Sequence, residues 1–79
     1  MRVGDRVRSL RGERGLTLEQ LARAARVGKG FLCEIEQGLA LPSLTTLARI
    51  AAALGVRLVD LLALVDAPVR PTARRRRAR

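Results

Sequence analysis

Apolar residues recur along the chain three and four positions apart. Val3, Val7 and Leu10 stand at i, i+4 and i+7, with Arg2, Arg6, Arg8 and Arg11 on the other faces, which is the pattern of an amphipathic helix. Gly12 and Gly15 close it. Thr17 followed by Gln20 forms a capping box, and the stripe Leu18, Leu21, Ala22 and Ala25 predicts a short second helix. Val27 and Gly28 break the phase. Leu32 and Ile35 resume it, with Phe31 and Cys33 beside them, and Gly38 provides a left-handed stop; a third helix over about 29–37 follows. After the connection Leu39–Pro42, Ser43 caps a fourth helix carrying Leu44, Leu47, Ala48, Ile50, Ala51 and Leu54, which ends at Gly55. A fifth segment, Leu58–Val65, presents Leu58, Val59, Leu61, Leu62, Leu64 and Val65, more apolar positions than one stripe of a short helix can bury. No strand alternation and no internal repeat interrupts this pattern. The expectation is an all-α, compact five-helix domain over residues 1–65. From Asp66 the periodicity dissolves into Pro68, Pro71 and the run Arg74–Arg77, so residues 66–79 read as a disordered Arg-rich tail.

Composition narrows the function. A chain of 79 residues is one small module, and a domain of this size buries only roughly 60% of its unfolded surface, so dimerisation is expected to add stability. With no His, Tyr or Trp, one Lys and one Cys, the chain has no set for a zinc cluster and no Ser-His or Cys-His pair. Neither an enzyme nor a cofactor is expected. The net charge is +9, and 15 of the 16 basic residues are Arg, whose planar fork suits phosphates and guanine edges. About half of that excess lies in the tail: residues 1–65 carry +4 and residues 66–79 carry +5. No apolar run reaches the ~18 residues of a membrane span, and a lone cysteine fits a reducing compartment. A soluble, cytoplasmic protein with an anionic partner and no membrane association is expected.

Two short helices joined by about four residues, Thr17–Gly38, have the form of a helix-turn-helix, in which the second helix enters the major groove of double-stranded DNA. The chain here resembles the Cro/C1-type, or XRE, helix-turn-helix domains of phage repressors and bacterial regulators. The resemblance runs from about Val3 to Leu62. It rests on Arg6-x-Arg8-x-x-Arg11 before Arg14-Gly15-Leu16-Thr17, on Leu21-Ala22 and Ile35-Glu36-x-Gly38, and on Pro42-Ser43-Leu44 and Ala53-Leu54-Gly55-Val56. It implies a five-helix, lambda-repressor-like domain acting as a homodimeric transcriptional regulator on a two-fold operator. By position, it places Lys29, Gly30 and Glu34 where the family reads base edges, with Phe31 and Cys33 adjacent. Gly28 takes the capping place, its amide directed at a phosphate. Arg11 and Glu36 match a structural ion pair between the first and third helices.

Departures from the family pattern matter as well. Leu18 stands where the family commonly has a phosphate-binding Gln. Arg26 replaces the small turn residue, at a cost of about 1 kcal/mol if its φ is positive, which a phosphate contact would offset. Leu39-Ala40-Leu41 is apolar where relatives offer polar groups, so it is either extra core or an exposed patch. Three readings of Glu34 stand: a residue on a solvated face or paired with Lys29 or Arg26, an acceptor for cytosine N4, or a contact to another protein. Phe31 is either a core edge or a contact to a thymine methyl. Cys33 is either a tolerated small residue or a redox switch. The apolar excess of the fifth segment assigns Leu58, Leu61, Leu62 and Val65 to a dimer interface, the alternative being a cap on the core. The tail is a solvated extension, a nonspecific DNA arm or an RNA-binding segment. The competing functional class is a protein-interaction or antitoxin-like accessory module that keeps the fold without independent operator reading.

Overall fold

The computed structural model describes residues 2–63, and they form five helices in the expected order: α1 (Val3–Glu13), α2 (Leu18–Ala25), α3 (Lys29–Gln37), α4 (Leu44–Leu54) and α5 (Leu58–Leu61). Local chemistry sets most boundaries. Thr17 Oγ1 accepts from the Gln20 amide at 3.0 Å while Gln20 Oε1 accepts from the Thr17 amide at 2.8 Å, so two of the donors at the start of α2 that lack an intrahelical partner are satisfied. Ser43 Oγ accepts from the Thr46 amide at 3.1 Å and starts α4. Gly38 and Gly55 end α3 and α4 at φ of 80° and 76°, a conformation glycine adopts without a Cβ clash.

The core lies where α1, α2, α3 and α4 converge. Val7, Leu10, Leu21, Leu32, Ile35 and Ile50 are its large members, joined by Leu47, Leu54 and the alanines 22, 25 and 51. Helix α2 packs against both α3 and α4, and α1 against α3, α4 and α5. Gly4 fits the α1–α3 crossing: a Cβ there would run into the Ile35 carbonyl and the Glu36 backbone.

Long-range hydrogen bonds from arginine finish the helix ends. Arg14 Nε donates to the Leu54 carbonyl at 2.7 Å, Arg49 Nε to the Ala25 carbonyl at 3.1 Å and Arg6 Nη2 to the Asp60 carbonyl at 3.4 Å. The Leu54 and Ala25 carbonyls are among those that a helix C-terminus leaves without an intrahelical donor, and the Asp60 carbonyl also accepts from the Ala63 amide at 3.3 Å. Part of the arginine excess therefore serves the fold.

The C-terminal part corrects the sequence reading. Helix α5 has four residues, with Leu62 and Ala63 in a turn; Leu64 and Val65 lie outside the described residues, as does the 66–79 tail. Leu61, expected in a dimer interface, is wholly buried within its own chain. It fills the space α5 covers against α1 and α4, so it is a core residue here. Val59 and Leu62 face outward, 61% and 37% exposed, and Leu58 is half-buried against the core. The α3–α4 connection resolves as an exposed patch: Leu39 and Leu41 are exposed, while Ala40 packs on the core.

Candidate nucleic-acid interface

Helix α3 has two faces of opposite character. Leu32, Ile35 and Glu36 point inward and are buried. Gly30, Glu34 and Gln37 recur at helical spacing on the opposite side and are exposed, together with Lys29. The start of α3 is open, because its N-cap Gly28 supplies no side-chain hydrogen bond. The first-turn amides therefore remain available to an acceptor from outside. The turn preceding it is set by Arg26, at φ 60° and ψ 44°, the one positive-φ residue other than glycine among the described residues. The positive φ that the sequence left as a condition is present, and an L-residue bears the strain of a left-handed turn.

Orientation of α3 depends on a bidentate ion pair. Arg11 Nε and Nη2 donate to the two carboxylate oxygens of Glu36 at 2.7 and 3.0 Å, and Arg11 Nη1 donates to the Leu16 carbonyl at 3.0 Å. One guanidinium thereby ties α1, the α1–α2 turn and α3 together. The hydrogen bond to Glu36 raises the Arg11 pKa further above its ordinary value, against the opposing effect of burial.

The remaining site positions divide. Lys29 Nζ lies 3.6 Å from Glu19 Oε2, an exposed contact from the start of α3 to the first turn of α2. Glu34, for which a pairing with Lys29 or Arg26 was one reading, has no ion-pair partner among the described residues. Its carboxylate stands on the outward face. Phe31 is 39% exposed, enough of the ring to meet a ligand. Cys33 is half-buried, and its Sγ accepts from Gln37 Nε2 at 3.3 Å. Leu18 packs against the core and, with Arg8, Cys33 and Gln37, borders a shallow recess; it offers no polar group. Gln37 was missed by sequence reasoning, although its place seven residues after Gly30 is the signal that puts it on this face. Among the described residues no helix is long and apolar enough to cross a membrane.

A capped brace helix, a tight left-handed turn and a second helix with one buried and one open face define a helix-turn-helix domain. Comparison with known proteins agrees. The helix-turn-helix domain family profile matches residues 2–67. The regulator DdrOP3 of Deinococcus deserti is 42% identical over 62 residues, which cover 78% of this chain and 48% of that protein. The transcriptional regulator ClgR of Mycobacterium tuberculosis is 40% identical over 77 residues, 98% of this chain and 67% of that one. The structure of the biofilm-formation regulator SinR in complex with DNA superposes with a TM-score of 0.72 at 38% identity, over 76% of this chain and 97% of that one. The chain belongs to the helix-turn-helix domain family, of the Cro/C1 (XRE) type. It spans about half the length of DdrOP3.

Proposed function

We propose that the chain is a cytoplasmic, sequence-specific transcriptional regulator that binds double-stranded DNA as a homodimer on a two-fold operator, without cofactor or catalytic chemistry. The observation that carries this reading is the presentation of α3. Its inward residues are locked by the core and by Arg11–Glu36, while Lys29, Gly30 and Glu34 stand outward beside an open helix start. Such a helix enters the major groove end-on, with its first residues on base edges. In this reading Lys29 donates to guanine and Glu34 accepts from cytosine N4. The Gly28 amide and Arg26 contact phosphate, while Phe31 and Cys33 flank the bases. The DNA complex of SinR, a relative of the same fold, supports the assignment.

For the homodimer, Leu58, Val59 and Leu62 provide the described part of the seam, with Val65 as its proposed continuation. The Asp66–Arg79 tail, with its net charge of +5, is assigned to sequence-independent attraction for the backbone. Selection of bound fragments from random DNA tests the function directly. The expected result is a motif with two-fold symmetry, and a dimer by light scattering that Leu62→Asp splits into monomers.

One observation favours the second reading, an interaction or accessory module. Leu39, Leu41 and Leu44 are 73%, 89% and 65% exposed beside α3 and α4, and exposed apolar residues in a group mark protein contacts more often than phosphate contacts. Selection that enriches no sequence, with the fold intact, makes this the better account.

A further inference from the structure

A hollow at the C-terminal end of α2 has no role in the site described above beyond the single contact assigned to Arg26. It is bordered by Arg26 and Arg49 and floored by Ala24, Ala52 and Ala53. The guanidinium of Arg49 is anchored: its Nε donates to the Ala25 carbonyl at 3.1 Å, so its two terminal nitrogens are held in place beside the turn. Neither Arg26 nor Arg49 has a carboxylate within ion-pair distance among the described residues. Two cations therefore share one small recess with no anion between them. Guanidinium groups with no paired carboxylate among the described residues attract an oxyanion.

The backbone makes the same point independently. At three positive-φ positions the chain uses glycine, namely Gly15, Gly38 and Gly55; at Arg26 it does not. A purely structural turn would be less strained with glycine. The favourable interaction of a basic side chain with a helix C-terminus is already provided by Arg49 on Ala25, and does not require a side chain at residue 26. What residue 26 adds is a second arginine lining the same hollow, three residues before Lys29 starts α3. The other lining residues, Ala24, Ala52 and Ala53, are small.

We propose that Arg26 and Arg49 form a two-pronged seat for a backbone phosphate of DNA, standing in at the C-terminal end of α2 for the phosphate contact that Leu18 cannot make at its N-terminal end. The proposal rests on the DNA-binding reading above and extends it to Arg49, a residue of α4. A phosphate fits because Arg26 stands three residues before Lys29, the first residue of α3, and because a fork of guanidinium nitrogens matches phosphate oxygens. It contributes affinity and register without base preference.

The test is the salt dependence of binding by the full chain, measured by fluorescence anisotropy on a DNA fragment recovered by selection. Arg26→Gly and Arg49→Gln are compared with the unaltered chain, with thermal melts in parallel. Arg26→Gly removes turn strain and is expected to melt no lower than the parent. Each variant is expected to flatten the slope of log affinity against log salt, by at most about 0.9, the value for one lost phosphate contact, while the order of preferred sequences stays the same. If Arg49→Gln does not fold, Arg26→Gly alone decides. An unchanged slope with DNA binding intact overturns the seat and leaves the DNA-binding reading standing, as would be found if the hollow takes an acidic protein segment instead. A changed order of sequences also overturns it, since Arg26 would then be reading bases. Absence of DNA binding by the unaltered chain at low salt overturns both.

Discussion

Helix α3 takes part in two ion pairs that differ in nearly every physical respect. Toward its C-terminal end Glu36, its side chain 6% exposed, holds Arg11 through two hydrogen bonds of 2.7 and 3.0 Å. At its first residue Lys29 meets Glu19 at 3.6 Å, with side chains 59% and 68% exposed. The inner pair is bidentate and shielded from water, so removing one partner strands a charge in a poorly solvated place. The outer pair is screened by water and salt and is worth at most about 1 kcal/mol. One charge pair therefore holds the helix, and the other is weak enough for Lys29 to leave Glu19 for a stronger acceptor. The same helix keeps its structural and its exchangeable charges on separate faces.

Breaking the inner pair should have the largest effect. Glu36→Ala leaves the Arg11 guanidinium unpaired and is expected to destabilise the domain by about 3 kcal/mol, the low end for a buried pair because Arg11 is one-fifth exposed. Small domains have only about 5–15 kcal/mol in total, so a circular dichroism melt should show a drop of many degrees. A melt within a few degrees of the parent would mean that α3 is held by apolar packing alone.

The outer face should respond in binding and leave the melt unchanged. Lys29→Ala is expected to weaken specific DNA binding by about 1–3 kcal/mol if it reads guanine. Glu34→Ala should relax the preference at one cytosine-containing position, read by repeating the selection. If Glu34→Ala instead tightens binding to every sequence alike, the carboxylate is an electrostatic penalty and not a reader. Glu19→Gln should do less. By releasing Lys29 and removing a negative charge near the backbone, it is expected to tighten binding by under about 1 kcal/mol on all sequences, and to move the melt by no more than about 0.5 kcal/mol.

The smallest effect concerns a third pair, on α5. Arg57 Nε and Nη2 donate to Asp60 at 3.0 and 3.3 Å, and this hydrogen bonding holds the Asp60 carboxyl below its ordinary value. A depressed carboxyl stabilises the fold above its unfolded pKa and loses that contribution as pH falls through the folded one. Because both side chains stand open to solvent the contribution is slight, and the direct readout is the titration itself. Arg57→Ala should shift the Asp60 carboxyl resonance in NMR toward ordinary carboxylate behaviour, with little change in the acid unfolding curve.

The helices and their ends were legible in the sequence because their determinants are local. Thr17 with Gln20, Ser43 with Thr46, and the left-handed Gly38 and Gly55 act within a turn of their own backbone. The outward places on α3 were legible through the resemblance, which put Lys29, Gly30 and Glu34 where the family reads base edges; all three are exposed in the structure, and Gly30 and Glu34 lie opposite Leu32 and Ile35. The fifth helix was not. Its apolar run suggested a seam through Leu61, yet which leucine turns inward depends on the gap that α1 and α4 leave.

Sequence by itself thus determined the helix count and the capping, which rest on interactions among residues a few positions apart, while the turn place of Arg26 and the places of Lys29, Gly30 and Glu34 came from the resemblance to the family pattern. Beyond the Arg11–Glu36 pair, which the family resemblance implied, only the tertiary structure decided the partners of the charges and the need for a small residue at Gly4. Arg14 finds the Leu54 carbonyl, Arg49 the Ala25 carbonyl and Lys29 the Glu19 carboxylate, contacts made by helices that meet only once the core has closed. An arginine carries the same charge and the same donors wherever it stands along the chain. Whether it caps a helix, braces a carboxylate or waits for a phosphate is set by the acceptors that folding brings within about 3 Å of it.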